Sequence, residues 1–156
     1  MVLTKSNTSN INKKFKHFEL YNTKNQKINS KNIIGKQGLL IIFTCNHCPY
    51  AIALWNRVIN QTKQIQDIGF NIIAINPNIN PNYPEDSPEN MKKLIETKNV
   101  TFEYLIDFDQ SISKEFDAKC TPEFYLMNSD FELIYRGAYD NNWKDEKNVT
   151  KQYIIN

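Results

Sequence analysis

No apolar run in this chain is long enough to cross a bilayer, and no hydrophobic export segment opens it, because Met1-Val2-Leu3 is followed at once by polar residues. The expectation is a cytoplasmic protein without a membrane partner, in which the Asn7 and Asn148 glycosylation sequons carry no meaning. Cysteine is scarce and odd in number, three in 156 residues, which does not suit the disulfide framework of a small secreted domain. Excess charge is also lacking. Nineteen Lys and Arg against 17 Asp and Glu leave a net +2, too little to imply a nucleic-acid partner. Lys13, Lys14 and Lys16 fall in an Asn/Ser/Lys-rich leader and read as a solvated tail. Histidine occurs only at His17 and His47, and there is no internal repeat.

What is present suits one globular domain: 40% apolar and 12% aromatic residues over 156 positions can bury a sizeable core. Residues 1–16 read as a flexible polar leader and 17–156 as the domain. The most informative feature is Cys45-Asn46-His47-Cys48-Pro49. It directly follows the most apolar segment, Gly38-Leu39-Leu40-Ile41-Ile42-Phe43-Thr44, and precedes a long helical pattern. A strand that delivers a dithiol to a helix N-terminus favours thiolate, since the free N–H groups and the macrodipole stabilise anionic sulfur there. Thiol–disulfide exchange is the chemistry this supports.

The strand at 38–44 is apolar on both faces, as a central strand covered on both sides must be. From Cys48 to Ile68 the set Ile52, Leu54, Trp55, Val58, Ile59, Thr62, Ile65 and Ile68 recurs at three and four residues, an amphipathic helix ending near Gly69. Residues 70–75 form the next buried strand, which makes a parallel βαβ unit. Ser87 before Pro88 marks a helix from Pro88 to about Lys98. A strand is expected over 102–106, a short helix over 109–116, and a hairpin from 124–127 and 131–135 with a turn at Asn128-Ser129-Asp130. Phe18 to Tyr21 alternates weakly, and 22–36 reads as a turn with a short extended piece. The stretch 148–155 looks like the opening of a terminal helix, curtailed at Asn156.

Cys120-Thr121-Pro122 stands just before the hairpin. A proline entering a strand removes a ladder hydrogen bond, so a turn is expected there, of the kind that can hold a cis peptide. With Thr44-Cys45-Asn46-His47-Cys48-Pro49-Tyr50, the segment from Tyr83 to Met91, Cys120 to Phe124, Tyr135-Arg136-Gly137 and Asp140-Asn141, the chain resembles the thioredoxin-like, peroxiredoxin-like branch of the redoxin (AhpC/TSA) superfamily. The resemblance spans about residues 34–142. It implies an α/β thioredoxin-like fold, a central mixed β-sheet flanked by helices, with a redoxin-type strand-helix insertion before the cis-Pro loop. It further implies that Cys45 is the exposed nucleophile and Cys48 the buried resolving thiol. Thr121 would offer its backbone to substrate while Pro122 packs against the dithiol. The partners implied are a protein or small-molecule disulfide and a thiol electron donor, with no cofactor.

His47 stands before the second cysteine as in the periplasmic disulfide oxidases, where an imidazole can stabilise the thiolate and make the disulfide more oxidising. Thioredoxins carry a buried acid six residues before the first cysteine, but here that position is Leu39. Glu123 is therefore a candidate for proton transfer at Cys48. Cys120 is a candidate redox or resolving thiol, with structural burial as the alternative. A peroxidase is the runner-up: Thr44 lies one residue before Cys45 and four before Cys48, so neither cysteine fits a peroxidatic Pro-x-x-x-Thr-x-x-Cys pattern. A soft-metal site built from Cys45, His47, Cys48 and Cys120 is a second alternative. Pro49 after Cys48 excludes a c-type haem site.

Overall fold

The structure, a computed structural model, describes residues 10–79, 82–118, 122–140 and 154. Its elements in chain order are β1 (Glu19–Asn22), β2 (Lys27–Asn29), α1 (Ser30–Ile33), β3 (Gly38–Phe43), α2 (Pro49–Ile68) and β4 (Phe70–Asn76). A single 3-10 turn (Pro84–Asp86) then leads to α3 (Pro88–Lys98), β5 (Glu103–Ile106), α4 (Ser111–Glu115), β6 (Glu123–Asn128) and β7 (Leu133–Gly137). The strands make one mixed sheet in the order β2-β1-β5-β4-β3-β6-β7. Strands β3, β4 and β5 run parallel, β6 pairs antiparallel with β3, and β7 with β6. This is the expected thioredoxin-like α/β fold.

Burial dictates the centre. All six residues of β3 are buried, and alternation sends Leu40 and Ile42 to one face and Leu39, Ile41 and Phe43 to the other. On the first face Trp55, Val58 and Ile65 of α2 and Met91 of α3 cover the sheet. On the second, Phe116 after α4 packs among Phe43, Tyr125 and Phe131. Gly38 has φ +151, and a Cβ there would sit 1.8 Å from the Met127 carbonyl oxygen of β6, so the close pairing of β3 with β6 requires glycine.

Helix boundaries follow local chemistry. Helix α2 starts with Cys48 at the N-cap and Pro49 at the first helical position, and stops where Gly69 turns left-handed (φ 110) and its N–H bonds the Gln66 and Ile65 carbonyls. Ile52 and Ile68, counted in the periodic set, lie at the flanks of its apolar stripe, 49% and 48% exposed. In α3 the Ser87 hydroxyl accepts from Asn90 N at 3.2 Å with Pro88 next, as the sequence predicts. Within 22–36, α1 went unread; a four-residue helix shows no periodicity, and Asn29 caps it by accepting from Lys31 N. Strands β4 and β5 with α3 between them occupy the expected insertion.

The leader needs correction. Residues 1–9 lie outside the described residues, but 10–16 pack along the β7 side of the sheet. Asn12 N donates to Leu133 O at 2.8 Å and Phe15 N to Phe131 O at 3.0 Å. The Phe15 ring is 4% exposed and stacks on Phe116 with centroids 4.3 Å apart. One aromatic in a polar stretch has no period to detect, yet its burial outweighs the ordering of the backbone around it. The terminal segment 148–155 lies outside the described residues except Ile154, which packs on the α2 side of the core. Among the described residues no helix is long and apolar enough to cross a membrane. Phe15→Ala should lower stability by about 3 kcal/mol. Urea unfolding checks this; an unchanged midpoint would return Phe15 to a solvated tail.

Candidate active site

The carboxyl ends of the parallel strands carry the chemistry, as open α/β sheets generally arrange it. Thr44 N still bonds Ile75 O at 2.9 Å, and the chain then turns through Cys45, Asn46 and His47 into α2. Cys48 N donates to the Cys45 sulfur at 3.2 Å, so the helix start does face the first thiol. Trp55 Nε1 donates to the Cys45 carbonyl at 3.3 Å. Pro122 lines a small apolar pocket with Thr44, Ala51 and Trp55. Cys120 and Thr121 lie outside the described residues.

Cys45 was expected to point outward, and it does not. It is 1% exposed and Cys48 0%. The cause is Asn46, which is tied down from three directions: its N–H donates to Asp86 Oδ1, its side-chain amide donates to Glu85 O at 2.8 Å, and its Oδ1 accepts from Tyr104 Oη at 2.7 Å. The segment that carries Asp86 is thereby folded over the Cys45 turn.

Asp86 is fully buried and accepts from four donors. Asn46 N and Asn76 Nδ2 (3.4 Å) reach Oδ1, while Asn78 Nδ2 (2.7 Å) and His47 Nδ1 reach Oδ2. The His47 ring is 26% exposed and stacks on Tyr83 at 4.9 Å and 13°. The expected low-pKa thiolate is also corrected. In this closed arrangement the Cys45 thiol is pushed up, first by its side-chain hydrogen bond with Cys48, then by burial, then by the charges of Cys48 and Asp86. The Cys48 N–H acts in the opposite direction and is outweighed, because desolvation and like charge oppose ionisation more than one helix-end donor favours it.

Glu123 is closed off from solvent. It is 0% exposed at the start of β6, bonded to Arg136 Nη2 at 3.1 Å and to Tyr125 Oη at 3.1 Å. Arg136 also reaches the Asp117 carbonyl at 2.7 Å and lies over the Tyr125 ring. The carboxylate is committed to a buried ion pair that ties β6 to β7 and to the end of α4.

Cys45, His47 and Asp86 offer donor atoms that all lie within 4.8 Å of one another, the combination among the described residues nearest to a metal ligand set. Each acceptor position of Asp86 is nevertheless taken by a protein donor. A carboxylate holding four hydrogen bonds has no lone pair left to give, so His47 and Asp86 form a hydrogen-bonded pair beside Cys45 rather than an open cation site. Asp86 is the functional residue that sequence reasoning missed. It lies forty residues from Asn46, and its only signal is its place in the Tyr83-Pro84-Glu85-Asp86-Ser87-Pro88 segment.

Sheet order and the buried cysteine pair at the β3–α2 junction define a protein of thioredoxin-like fold. The chain matches the AhpC/TSA family over residues 11–139 and belongs to it. It is similar to an uncharacterized conserved protein from Geobacillus kaustophilus, 32% identical with a TM-score of 0.83, over 91% of this chain and 77% of that one. The peroxidoxin BcpB of Mycobacterium tuberculosis shares the fold at 10% identity and a TM-score of 0.72, over 86% and 89%. A thioredoxin-like protein from Aeropyrum pernix does so at 20% and 0.65, over 80% and 83%. Comparison with curated proteins gives no match. Removing one partner of a buried ion pair strands the other charge, so Glu123→Gln should cost about 3 kcal/mol. Chemical denaturation measures this, and a loss under 1 kcal/mol, about the worth of a surface pair, would show that Arg136 does not depend on it.

Proposed function

We propose that the protein is a thiol–disulfide oxidoreductase working through Cys45 and Cys48. The observation that carries this reading is the contact of Cys48 N with the Cys45 sulfur at 3.2 Å, which sets two thiols one helical step apart at the start of α2. Cys45 attacks the substrate disulfide, a mixed disulfide forms on its sulfur, and Cys48 resolves it to give the Cys45–Cys48 disulfide. A thiol donor then reduces the pair. Substrates are disulfides of proteins or small molecules, and the Thr121–Pro122 loop is assigned to the substrate side by its resemblance to thioredoxins. Since Cys45 is 1% exposed, attack requires the Cys45 turn to open toward the substrate.

Exchange needs only a thiolate and a disulfide, so neither metal nor organic cofactor enters the proposed cycle. Elemental analysis of protein purified without chelator should find no stoichiometric copper or zinc; metal that is lost in Cys45→Ser would support the metal-binding alternative. Cys48→Ser should accumulate mixed disulfides with substrate, and Cys45→Ser should not. Mass spectrometry after mixing with a disulfide-bonded protein reads both. Trapping on Cys48 instead would reverse the roles. Wild-type protein should reduce insulin faster than it consumes peroxide; the opposite order would favour the peroxidase reading.

A further inference from the structure

The central strand has no acid near the dithiol, since Leu39 is fully buried in the apolar cluster beneath the sheet. Glu123 is held by Arg136. The titratable groups described around the sulfur atoms come from other elements: Cys48 and Tyr50 at the start of α2, His47 in the turn with Tyr83 stacked on its ring, Asp86 beside it, and Tyr104 on β5. Tyr104 is buried and held protonated by that burial first, then by the charges of Cys45 and Asp86. Beside the Cys45–Cys48 pair itself, His47 and Asp86 form a second pair there with a shared hydrogen.

The geometry of that pair assigns the hydrogen. A carboxylate only accepts, so the Nδ1 atom bonded to Asp86 Oδ2 carries a proton, and a neutral ring then has its lone pair at Nε2. The Asn78 and Asn76 amides complete the carboxylate's set of donors, and Tyr83 fixes the plane of the ring. A side chain built so completely into its partners, at zero exposure and within 4.8 Å of a thiol, is arranged for more than closing a loop.

We infer that Asp86 is a positioning residue for the dithiol: through Nδ1 it fixes the tautomer of His47 and supports the imidazolium that forms when Nε2 takes the Cys45 proton. This rests on the exchange reading above. The Cys45 S–H bond breaks and its proton passes to Nε2. The sulfur attacks one substrate sulfur as the substrate S–S bond breaks, and the departing sulfur keeps the electron pair and receives the proton back from the ring. Cys48 then attacks the Cys45 sulfur, and its proton goes by the same ring to the second departing sulfur. The protein dithiol is oxidised to a disulfide, and the substrate is reduced to two thiols. A buried thiol that resists ionising by itself is where such a paired base has most effect.

Two measurements decide. Imidazole nitrogen NMR of the reduced wild-type protein, with the His47 signals identified by their absence in His47→Gln, should show neutral His47 protonated at Nδ1; an Nε2–H tautomer overturns the assignment. The rate of iodoacetamide modification of Cys45, read by mass spectrometry across pH, should shift upward by about one pH unit in His47→Gln and in Asp86→Asn, about tenfold in rate at pH 7. The double variant should lose no more than either single one. A profile that stays put, moves down in Asp86→Asn because only a repelling charge was removed, or shifts additively refutes the relay. Should Asp86→Asn fail to fold, the tautomer and the His47→Gln profile still decide. Neither measurement uses a disulfide substrate. A wild-type protein that passes both but reduces no disulfide sinks the oxidoreductase reading and leaves the His47–Asp86 pair standing.

Discussion

A carboxylate taken out of water must be fully hydrogen-bonded or it destabilises the fold by several kcal/mol. Asp86, at zero exposure, meets that condition by gathering Asn46, His47, Asn76 and Asn78 around two oxygens. Asn46 and His47 lie in the loop after β3, whereas Asn76 is the last residue of β4 and Asn78 lies just beyond it. Satisfying one buried charge therefore sets the shape of the dithiol turn and its separation from the next parallel strand. It also sets the burial of Cys45, because the Asn46 backbone that Asp86 holds is the next residue along.

Two physical effects compete at the first thiol. The helix start offers the Cys48 N–H and the positive end of α2, and a free-standing motif of this kind would carry a thiolate. In the folded chain the sulfur is desolvated, shares a hydrogen with Cys48 and lies near the Asp86 charge, and these win. Motif spacing alone reports only the first effect. Within the second, the hydrogen bond with Cys48 is local, while the Asp86 charge comes from a segment that arrives forty residues later.

That difference explains how much could be read in advance. The parallel core was legible because β3, α2 and β4 carry dense, periodic apolar patterns closed by Gly69, and α3 because Ser87 and Pro88 are a local start signal. Cys45 and Cys48 were legible from spacing on a strand-to-helix junction. Phe15 was not, since a lone aromatic gains its meaning only from Phe116, 101 positions on. The ion pair of Glu123 was hidden for a related reason. Its neighbour Pro122 suggested a site at the strand end, whereas its true partner, Arg136, lies across a hairpin and turns the carboxylate into the core. Sequence patterns report what a residue does within its own element; buried charge pairs are agreements between elements.

The replacement of an acid in the central strand by Leu39 then has a structural logic. Leu39 packs in the same cluster as Tyr125, Met127 and Leu133, and a carboxylate there would need partners that this apolar layer does not supply. Placing the acid on the 3-10 turn after β4 keeps the sheet interior apolar and puts the charge where asparagine side chains can solvate it. An acid in a strand is fixed relative to the sulfur, whereas one on a turn shares the fate of that turn. Because one carboxylate holds both Asn46 and His47, any movement that uncovers Cys45 also alters the field at its sulfur. Access to the dithiol and the electrostatics of the dithiol are consequently governed by a single set of hydrogen bonds.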